Sequence, residues 1–217
     1  MRYRGAHHLP EWLEQGKPVL KNNNTDDIRE ALASIKLPVC IEVGCGKGGF
    51  IHQMAQARPD IFFIGVDKVM TVIAKAAANA VEIGLANVLF IIGDVEDIAE
   101  KMTPNSVERL FLNFSDPWPK SRHEPRRLTD KSKLAIYERL LTERGVVEQK
   151  TDNLPFFEWS VASFESAGWH LERVLRGFAE GEPEHSQLSS QYVQTEYEQK
   201  FRHQGIPINY LRARPPV

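Results

Sequence analysis

Short apolar segments alternate along the chain with longer segments in which apolar residues recur at helical spacing. The apolar segments predict strands over residues 39–43, 61–66, 88–92, 108–114, 145–150, 170–175 and 208–213. The helical pattern predicts helices over residues 48–57, 69–83, 130–142 and 154–167. Strands that alternate with helices are typical of a parallel sheet covered on both faces, so the pattern predicts an α/β fold.

The organisation of the chain favours a single domain over residues 1–217. No internal repeat and no low-complexity linker interrupts the alternation of predicted strands and helices. Residues 1–35 precede the first predicted strand and are expected to form an arm and a helix. The polar residues from about 177 to 204 are expected to be an insertion before the last strand.

Composition excludes several classes of protein. Hydrophobic residues make up 42% of the chain and charged residues 26%, which are ordinary values for a globular domain. No apolar run approaches the roughly 18 residues of a membrane span, and the N-terminus lacks the apolar core of a signal peptide. The two cysteines, Cys40 and Cys45, fit neither a disulfide scaffold nor a zinc pattern, and no histidine metal motif occurs. We therefore expect a cytoplasmic protein that needs no metal and no membrane.

Charge is unevenly distributed along the chain. The formal net charge is −2, yet residues 120–133 contain six basic and two acidic residues, a local charge of +4. A basic segment on an otherwise acidic chain predicts one anionic partner at that place. A solvated loop with incidental charge is the alternative, and the charge count alone does not separate the two.

A glycine-rich loop lies between the first predicted strand and the first predicted helix. Gly44, Gly46 and Gly49 have the spacing G-x-G-x-x-G, which lets the backbone approach a ligand closely at the sheet edge. Asp67 ends the next predicted strand, where a carboxylate can hold ribose hydroxyls. The alternative is a tight strand–helix turn that requires glycine for its own geometry.

Acidic residues around this loop distinguish between two ligands, a nicotinamide dinucleotide and S-adenosylmethionine. Glu42 stands two positions before the first glycine, where its carboxylate would repel a pyrophosphate and attract an amino or sulfonium cation. Asp94 follows the third predicted strand and is placed to meet the amino group of an adenine. The pattern therefore favours S-adenosylmethionine over NAD, although Glu42 could instead serve a cap or a salt bridge.

The segment RLFLNFSDPWPKSRHEPRRL is the most informative part of the sequence. Pro117 and Pro119 fix the backbone after a predicted strand and prevent a helix or a strand from continuing there. Asp116 and Trp118 are therefore expected to lie on a rigid loop. A carboxylate can accept from base N–H groups, an aromatic ring can stack on a base, and the basic residues that follow suit phosphates. The sequence thus predicts that one loop contacts both the bases and the phosphates of a nucleic acid.

At this point the chain resembles the bacterial tRNA (guanine-N7)-methyltransferases, which methylate guanine 46 in the variable loop. The matching stretches, in the order of the family, are EVGCGKGGF, FIGVD, NFSDPWPKSRHEPRRL, KTDN and TEYEQKF, and they run from Glu42 to Phe201. The loop from Asn113 to Leu128 discriminates most strongly. Pro125 departs from the family, which commonly carries another basic residue there.

The resemblance implies a Rossmann-like, seven-stranded methyltransferase sheet that is mostly parallel and has an antiparallel final strand. It also implies S-adenosylmethionine as cofactor and tRNA as partner, for a monomer or homodimer. The implied cofactor-binding residues are Glu42, Gly44, Gly46, Asp67, Asp94 and Asp116, with Asp116 also catalytic. The implied substrate-binding residues are Lys120, Asp152, Thr195, Glu196, Tyr197 and Glu198. The implied RNA contacts are Arg122, His123, Arg126 and Arg127.

The chemistry of the implied reaction agrees with these residue types, and some alternatives stay open. Guanine N7 carries a lone pair and no proton, so the transfer needs alignment and charge stabilisation rather than a general base. Thr195 and Glu198 also fit a capping box, and Asp152 fits a turn. For the whole chain, the alternatives are another nucleic-acid base methyltransferase, or an RNA-binding module without catalysis.

Overall fold

The computed structural model of the protein describes residues 6–22, 27–178 and 195–216. The chain divides into two compact units, one ending at Val107 and the other beginning at Glu108. The single domain expected from the sequence stays a prediction. Two parts of the expected arm, 1–5 and 23–26, and most of the expected insertion, 179–194, lie outside the described residues.

The first unit contains a parallel sheet with the strand order β1-β4-β3-β2. Its strands are β1 (Leu20–Asn22), β2 (Val39–Val43), β3 (Phe62–Asp67) and β4 (Val88–Ile92). Its helices are α1 (Leu9–Gly16), α2 (Asp27–Ser34), α3 (Gly49–Ala57), α4 (Met70–Glu82) and α5 (Val95–Ala99). Two short 3₁₀ helices cover Ala6–His8 and Lys17–Val19.

Burial explains why these segments form a parallel sheet. Every residue of β2 is buried, as is typical of a strand covered on both faces.

Glycine allows two helices of the first unit to pack closely. Where α1 ends against α4, a Cβ added to Gly16 would lie 2.8 Å from the Cβ of Ala77, so a larger residue would push the helices apart.

The second unit contains a sheet with the strand order β5-β6-β8-β7. Its strands are β5 (Val107–Asn113, which begins at the unit boundary), β6 (Leu141–Thr151), β7 (His170–Phe178) and β8 (Ile208–Arg214). Its helices are α6 (Lys131–Leu140), α7 (Leu154–Ser166) and α8 (Glu196–His203), and a 3₁₀ helix covers Ser121–Arg126. Strand β8 is antiparallel to both of its neighbours, β6 and β7.

The structure confirms the predicted α/β class, all seven predicted strands and the antiparallel final strand, with boundary shifts of up to four residues. It adds an eighth strand, β1, which pairs in parallel with β4. The expected arm contains α1, β1 and α2. None of the helices in the described ranges has the length and apolar character needed to cross a membrane.

Candidate active site

The glycine loop follows β2 and turns the chain into α3 through left-handed backbone conformations. Gly44, Gly46 and Gly48 have φ angles of 79°, 55° and 75°. A Cβ added to Gly46 would meet no atom within 4 Å, whereas one added to Gly48 would lie 2.9 Å from the Cβ of Ala76. Gly46 therefore leaves space for a ligand to approach the backbone, while Gly48 serves packing. The predicted third glycine, Gly49, is the first residue of α3, so the sequence spacing missed the role of Gly48.

The Asp67 carboxylate fixes the glycine loop against the end of β3. Its Oδ2 accepts a hydrogen bond from the backbone N–H of Gly46 at 2.9 Å, and its Oδ1 accepts one from the N–H of Val69 at 2.8 Å. Asp67 thus joins the loop to the start of α4. Carboxylate oxygens have further lone pairs, so the residue can hold the loop and still accept from a ribose hydroxyl.

Glu42 and Asp94 complete a set of three carboxylates at neighbouring strands of the first unit. Glu42 is buried within β2, and Asp94 follows β4, where it accepts from the N–H of Val95 at 2.8 Å and pairs with Lys68. Burial, followed by the nearby carboxylates of Glu42 and Asp67, raises the pKa of the Cys45 thiol. Strands β2, β3 and β4 run in parallel, and the structure brings these carboxylates to one edge of their sheet, as predicted.

Strained backbone surrounds Asp116 in the second unit. Phe114 and Trp118 have φ angles of 50° and 42°, and they are two of the three non-glycine residues with positive φ in the described ranges. Such conformations cost roughly 1–3 kcal/mol each and concentrate at functional sites. The Asp116 side chain is exposed, and its carboxylate has no hydrogen bond or ion pair with any residue that the structure describes.

The basic segment over residues 120–133 begins with the 3₁₀ helix Ser121–Arg126, which packs on Trp118. The Arg126 guanidinium lies 5.1 Å from the centroid of the Trp118 ring, and the His123 ring meets the same indole edge-on at 5.6 Å. Arg122 donates to His123 Nε2 at 3.3 Å. The side chains of Arg122 and Arg126 are exposed, so both remain available to an anionic partner.

Arg127 differs from its basic neighbours because its side chain points into the protein. It is only 7% exposed, and it donates from Nε to the carbonyl of Pro117 and from Nη2 to the carbonyl of Trp118, both at 3.0 Å. The sequence predicted an RNA contact for this residue. Its burial and its two carbonyl partners argue against direct contact with phosphate, so we assign Arg127 to the loop itself.

The predicted substrate residues Lys120 and Asp152 stand at the ends of ordered segments. Lys120 is exposed and directly precedes the 3₁₀ helix. Asp152 follows β6 and is half-buried. Its neighbour Asn153 provides the cap of α7 by accepting from the N–H of Phe156 at 2.9 Å. Thr151 Oγ1 closes the turn by accepting from the N–H of Asn153 at 3.1 Å, so neither of these bonds uses the Asp152 carboxylate.

The segment from Thr195 to Glu198 begins α8, and Thr195 provides the predicted cap, whereas the Glu198 carboxylate does not complete the capping box. Thr195 Oγ1 accepts from the N–H of Glu198 at 3.0 Å. Glu198 is fully buried, where Oε2 accepts from Lys150 at 3.1 Å and Oε1 accepts from Nε and Nη2 of Arg202 at 2.9 and 2.8 Å. This ion triad argues against the expected contact between Glu198 and a base. The backbone of Glu196 and Tyr197 forms the first turn of α8, but their side chains lie outside the described residues.

The sequence pattern did not indicate Lys150 and Arg202 as members of this cluster. A lysine at the end of the predicted strand 145–150 was the available signal, because a lysine that a strand buries requires an anionic partner. Burial lowers the pKa of Lys150, whereas the Glu198 carboxylate acts in the opposite direction.

Among the described residues there is no group of three or more His, Cys, Asp or Glu that could hold a metal ion.

Comparison with known proteins identifies the family. Residues 36–211 match the family described as putative methyltransferases. Curated tRNA (guanine-N(7)-)-methyltransferases of Lactococcus lactis subsp. cremoris (strain MG1363) and Limosilactobacillus reuteri (strain DSM 20016) are 42% and 44% identical to the chain. These alignments cover 82% and 81% of this chain and 80% of each relative. The chain belongs to the tRNA (guanine-N(7)-)-methyltransferase family.

Solved structures show the fold that this methyltransferase chain shares with more distant proteins. The 16S rRNA methyltransferase KamB matches with a TM-score of 0.62 and 18% identity, over 88% of this chain and 94% of that one. An antibiotic-related methyltransferase matches with a TM-score of 0.61 over the same shares of the two chains. At this level of identity the likeness establishes the methyltransferase fold and nothing more specific.

Proposed function

We propose that the protein transfers the methyl group of S-adenosylmethionine to N7 of guanine 46 in tRNA, in the cytoplasm, as a monomer or homodimer. The observation that carries this proposal is 42–44% identity to curated tRNA (guanine-N(7)-)-methyltransferases over about four-fifths of the chain. The assignment to position 46 rests on the resemblance of the loop from Asn113 to Leu128. Incubation with methyl-labelled S-adenosylmethionine and unmodified tRNA, followed by nucleoside identification, tests the proposal.

The first unit fits the cofactor by its charge and by its open glycine loop. Gly44 is exposed and Gly46 is half-buried with open space beside its Cα, and the carboxylates of Glu42, Asp67 and Asp94 would hold the cationic and hydroxyl-bearing parts of S-adenosylmethionine. When bound, the cofactor supplies an electrophilic methyl group. A pyrophosphate would meet the negative charge of the same residues, so a nicotinamide dinucleotide is disfavoured.

Asp116 is the residue we propose to act on the base during transfer. Because N7 has no proton to lose, the protein must align the base and stabilise the positive charge that develops on its imidazole ring. The exposed Asp116 carboxylate, which has no partner among the described residues, supplies negative charge for that purpose. Lys120, Asp152 and the start of α8, including Thr195, Glu196 and Tyr197, are proposed to contribute to substrate binding.

Cofactor choice gives a direct prediction for Glu42. Glu42→Gln should weaken S-adenosylmethionine binding by about 10- to 100-fold, since a hydrogen bond to a charged group contributes roughly 1.5–3 kcal/mol. Isothermal calorimetry measures this change, with Glu82→Gln as a matched control on the exposed end of α4. The parent protein should bind the cofactor and not NAD. Unchanged affinity in Glu42→Gln, or tight NAD binding, would contradict the proposed pocket.

The exposed arginines give a second prediction, on tRNA binding. Replacing Arg122 and Arg126 by alanine should weaken binding and reduce the magnitude of the slope of log K against log salt by about 1–2, because each phosphate contact contributes slightly less than one unit. Binding measured across a salt series gives this slope. The matched control replaces the exposed Arg139 and Arg144. An identical slope for parent and double variant would show that the loop does not contact phosphates.

A further inference from the structure

Two prolines limit the hydrogen bonds that the loop carrying Asp116 can make through its own backbone. Pro117 and Pro119 have no N–H group, so two possible donors are missing from this short segment. Trp118 between them adopts a left-handed conformation at φ 42°, which a bulky residue keeps only when its surroundings enforce it. The carbonyls of Pro117 and Trp118 both accept hydrogen bonds from a side chain ten and nine residues further along the chain.

Arg127 supplies both donors from one planar group. Nε and Nη2 donate to the two successive carbonyls at 3.0 Å each, and Nη1 lies 3.4 Å from the Glu124 carboxylate. The guanidinium also lies over the ring of Trp159 of α7, whose centroid is 4.3 Å from Cζ. The guanidinium thus connects the loop to a helix of the second unit, away from water.

The backbone that carries Arg127 is itself anchored to α7. Two residues further on, the carbonyl of Thr129 accepts from Ser163 Oγ at 2.7 Å, and Thr129 Oγ1 hydrogen-bonds with Ser160 Oγ at 2.8 Å. All three residues are buried. Arg127 is therefore a rigid connection from α7 to the loop rather than a mobile surface side chain.

We infer that Arg127 is a positioning residue that holds the Asp116 loop in the geometry needed for methyl transfer. The inference rests on the proposed function of Asp116. A lysine keeps the positive charge but has no planar fork with which to serve two carbonyls and stack on an indole at once. The functional contribution of Arg127 is then geometric, and charge alone does not replace it.

The test compares Arg127→Lys with Arg139→Lys, the same change at an exposed position on α6. At saturating cofactor and tRNA, the single-turnover rate of Arg127→Lys should fall by about 10- to 100-fold, because a misplacement of 1 Å can cost that much. Its tRNA dissociation constant should change by less than about threefold, since the phosphate contacts are made elsewhere. Arg139→Lys should match the parent in both measurements.

A second variant separates positioning from general damage to the fold. In Arg127→Ala, guanidinium at millimolar concentration should restore part of the rate, whereas ethylammonium should not. Rates are expressed per folded molecule, with the folded fraction taken from circular dichroism. A rate for Arg127→Lys within threefold of the parent, or no rescue by guanidinium, overturns the inference. A parent enzyme that is inactive on tRNA overturns the proposed function first, and this inference with it.

Discussion

Asp116→Asn should lower the single-turnover rate of methyl transfer by about 10²-fold or more, the loss typical of removing one electrostatic stabiliser. Asparagine keeps the shape of the side chain and one acceptor oxygen but carries no charge to offset the positive charge on the base. The tRNA dissociation constant should change far less, because the proposed phosphate contacts of Arg122 and Arg126 are untouched. Rapid-quench measurement at saturating substrates isolates the transfer step.

The competing explanation makes Asp116 a turn residue, for which asparagine would serve almost equally well. The structure weakens this alternative, because the carboxylate accepts no backbone hydrogen bond from the described residues. Asp60→Asn, at an exposed residue paired with Arg58, provides the matched control and should leave the rate unchanged. A rate for Asp116→Asn within about threefold of the parent would remove this carboxylate from the mechanism.

Glu198→Gln should destabilise the fold by about 3 kcal/mol, which is the low end of the cost of breaking a buried ion pair. The change removes the carboxylate that lies between Lys150 and Arg202, so the buried Lys150 and the half-buried Arg202 lose the same anionic partner. For a chain of this size the expected drop in Tm is roughly 6–12 °C. Urea unfolding of the parent and the variant measures the difference.

Glu138→Gln on the exposed face of α6 is the control for this change and should alter stability by no more than about 0.5 kcal/mol. The two roles considered for Glu198 give opposite results. A stable Glu198→Gln variant that has lost transfer activity would favour contact with the base. A destabilised variant whose folded fraction transfers at the parent rate would establish the ion triad as its role.

Strands such as β2 and β4 could be predicted because their sequences, VCIEV and VLFII, are almost entirely apolar. The same rule could not find β1, whose three residues, Leu20–Asn22, are too few to show a pattern and become a strand only by pairing with β4. The glycine loop was predicted from spacing, yet spacing alone could not show that Gly48, not Gly49, takes the left-handed conformation at the start of α3.

The basic segment shows that a sequence can predict local charge without predicting which role each basic residue has. Arg126 and Arg127 are adjacent and identical in type, so composition assigns them the same function. Trp159 and the carbonyl of Pro117 come from distant parts of the sequence, and together they help to bury the guanidinium of Arg127. The guanidinium of Arg126 stays exposed. The same limit applies to Glu198, because the sequence pattern predicted its cap with Thr195 but not its pairing with the distant Lys150.

Replacing a single atom of the substrate, N7 of guanine 46, tests the proposed methyl transfer. Two tRNAs that differ only at position 46, one with guanine and one with 7-deazaguanine, are incubated with methyl-labelled S-adenosylmethionine and the enzyme. The 7-deaza base keeps the Watson–Crick edge of guanine but has a C–H group in place of N7. We expect N7-methylguanosine in the guanine tRNA and no label in the other. Equal labelling of both tRNAs, or label in a different nucleoside, would contradict it.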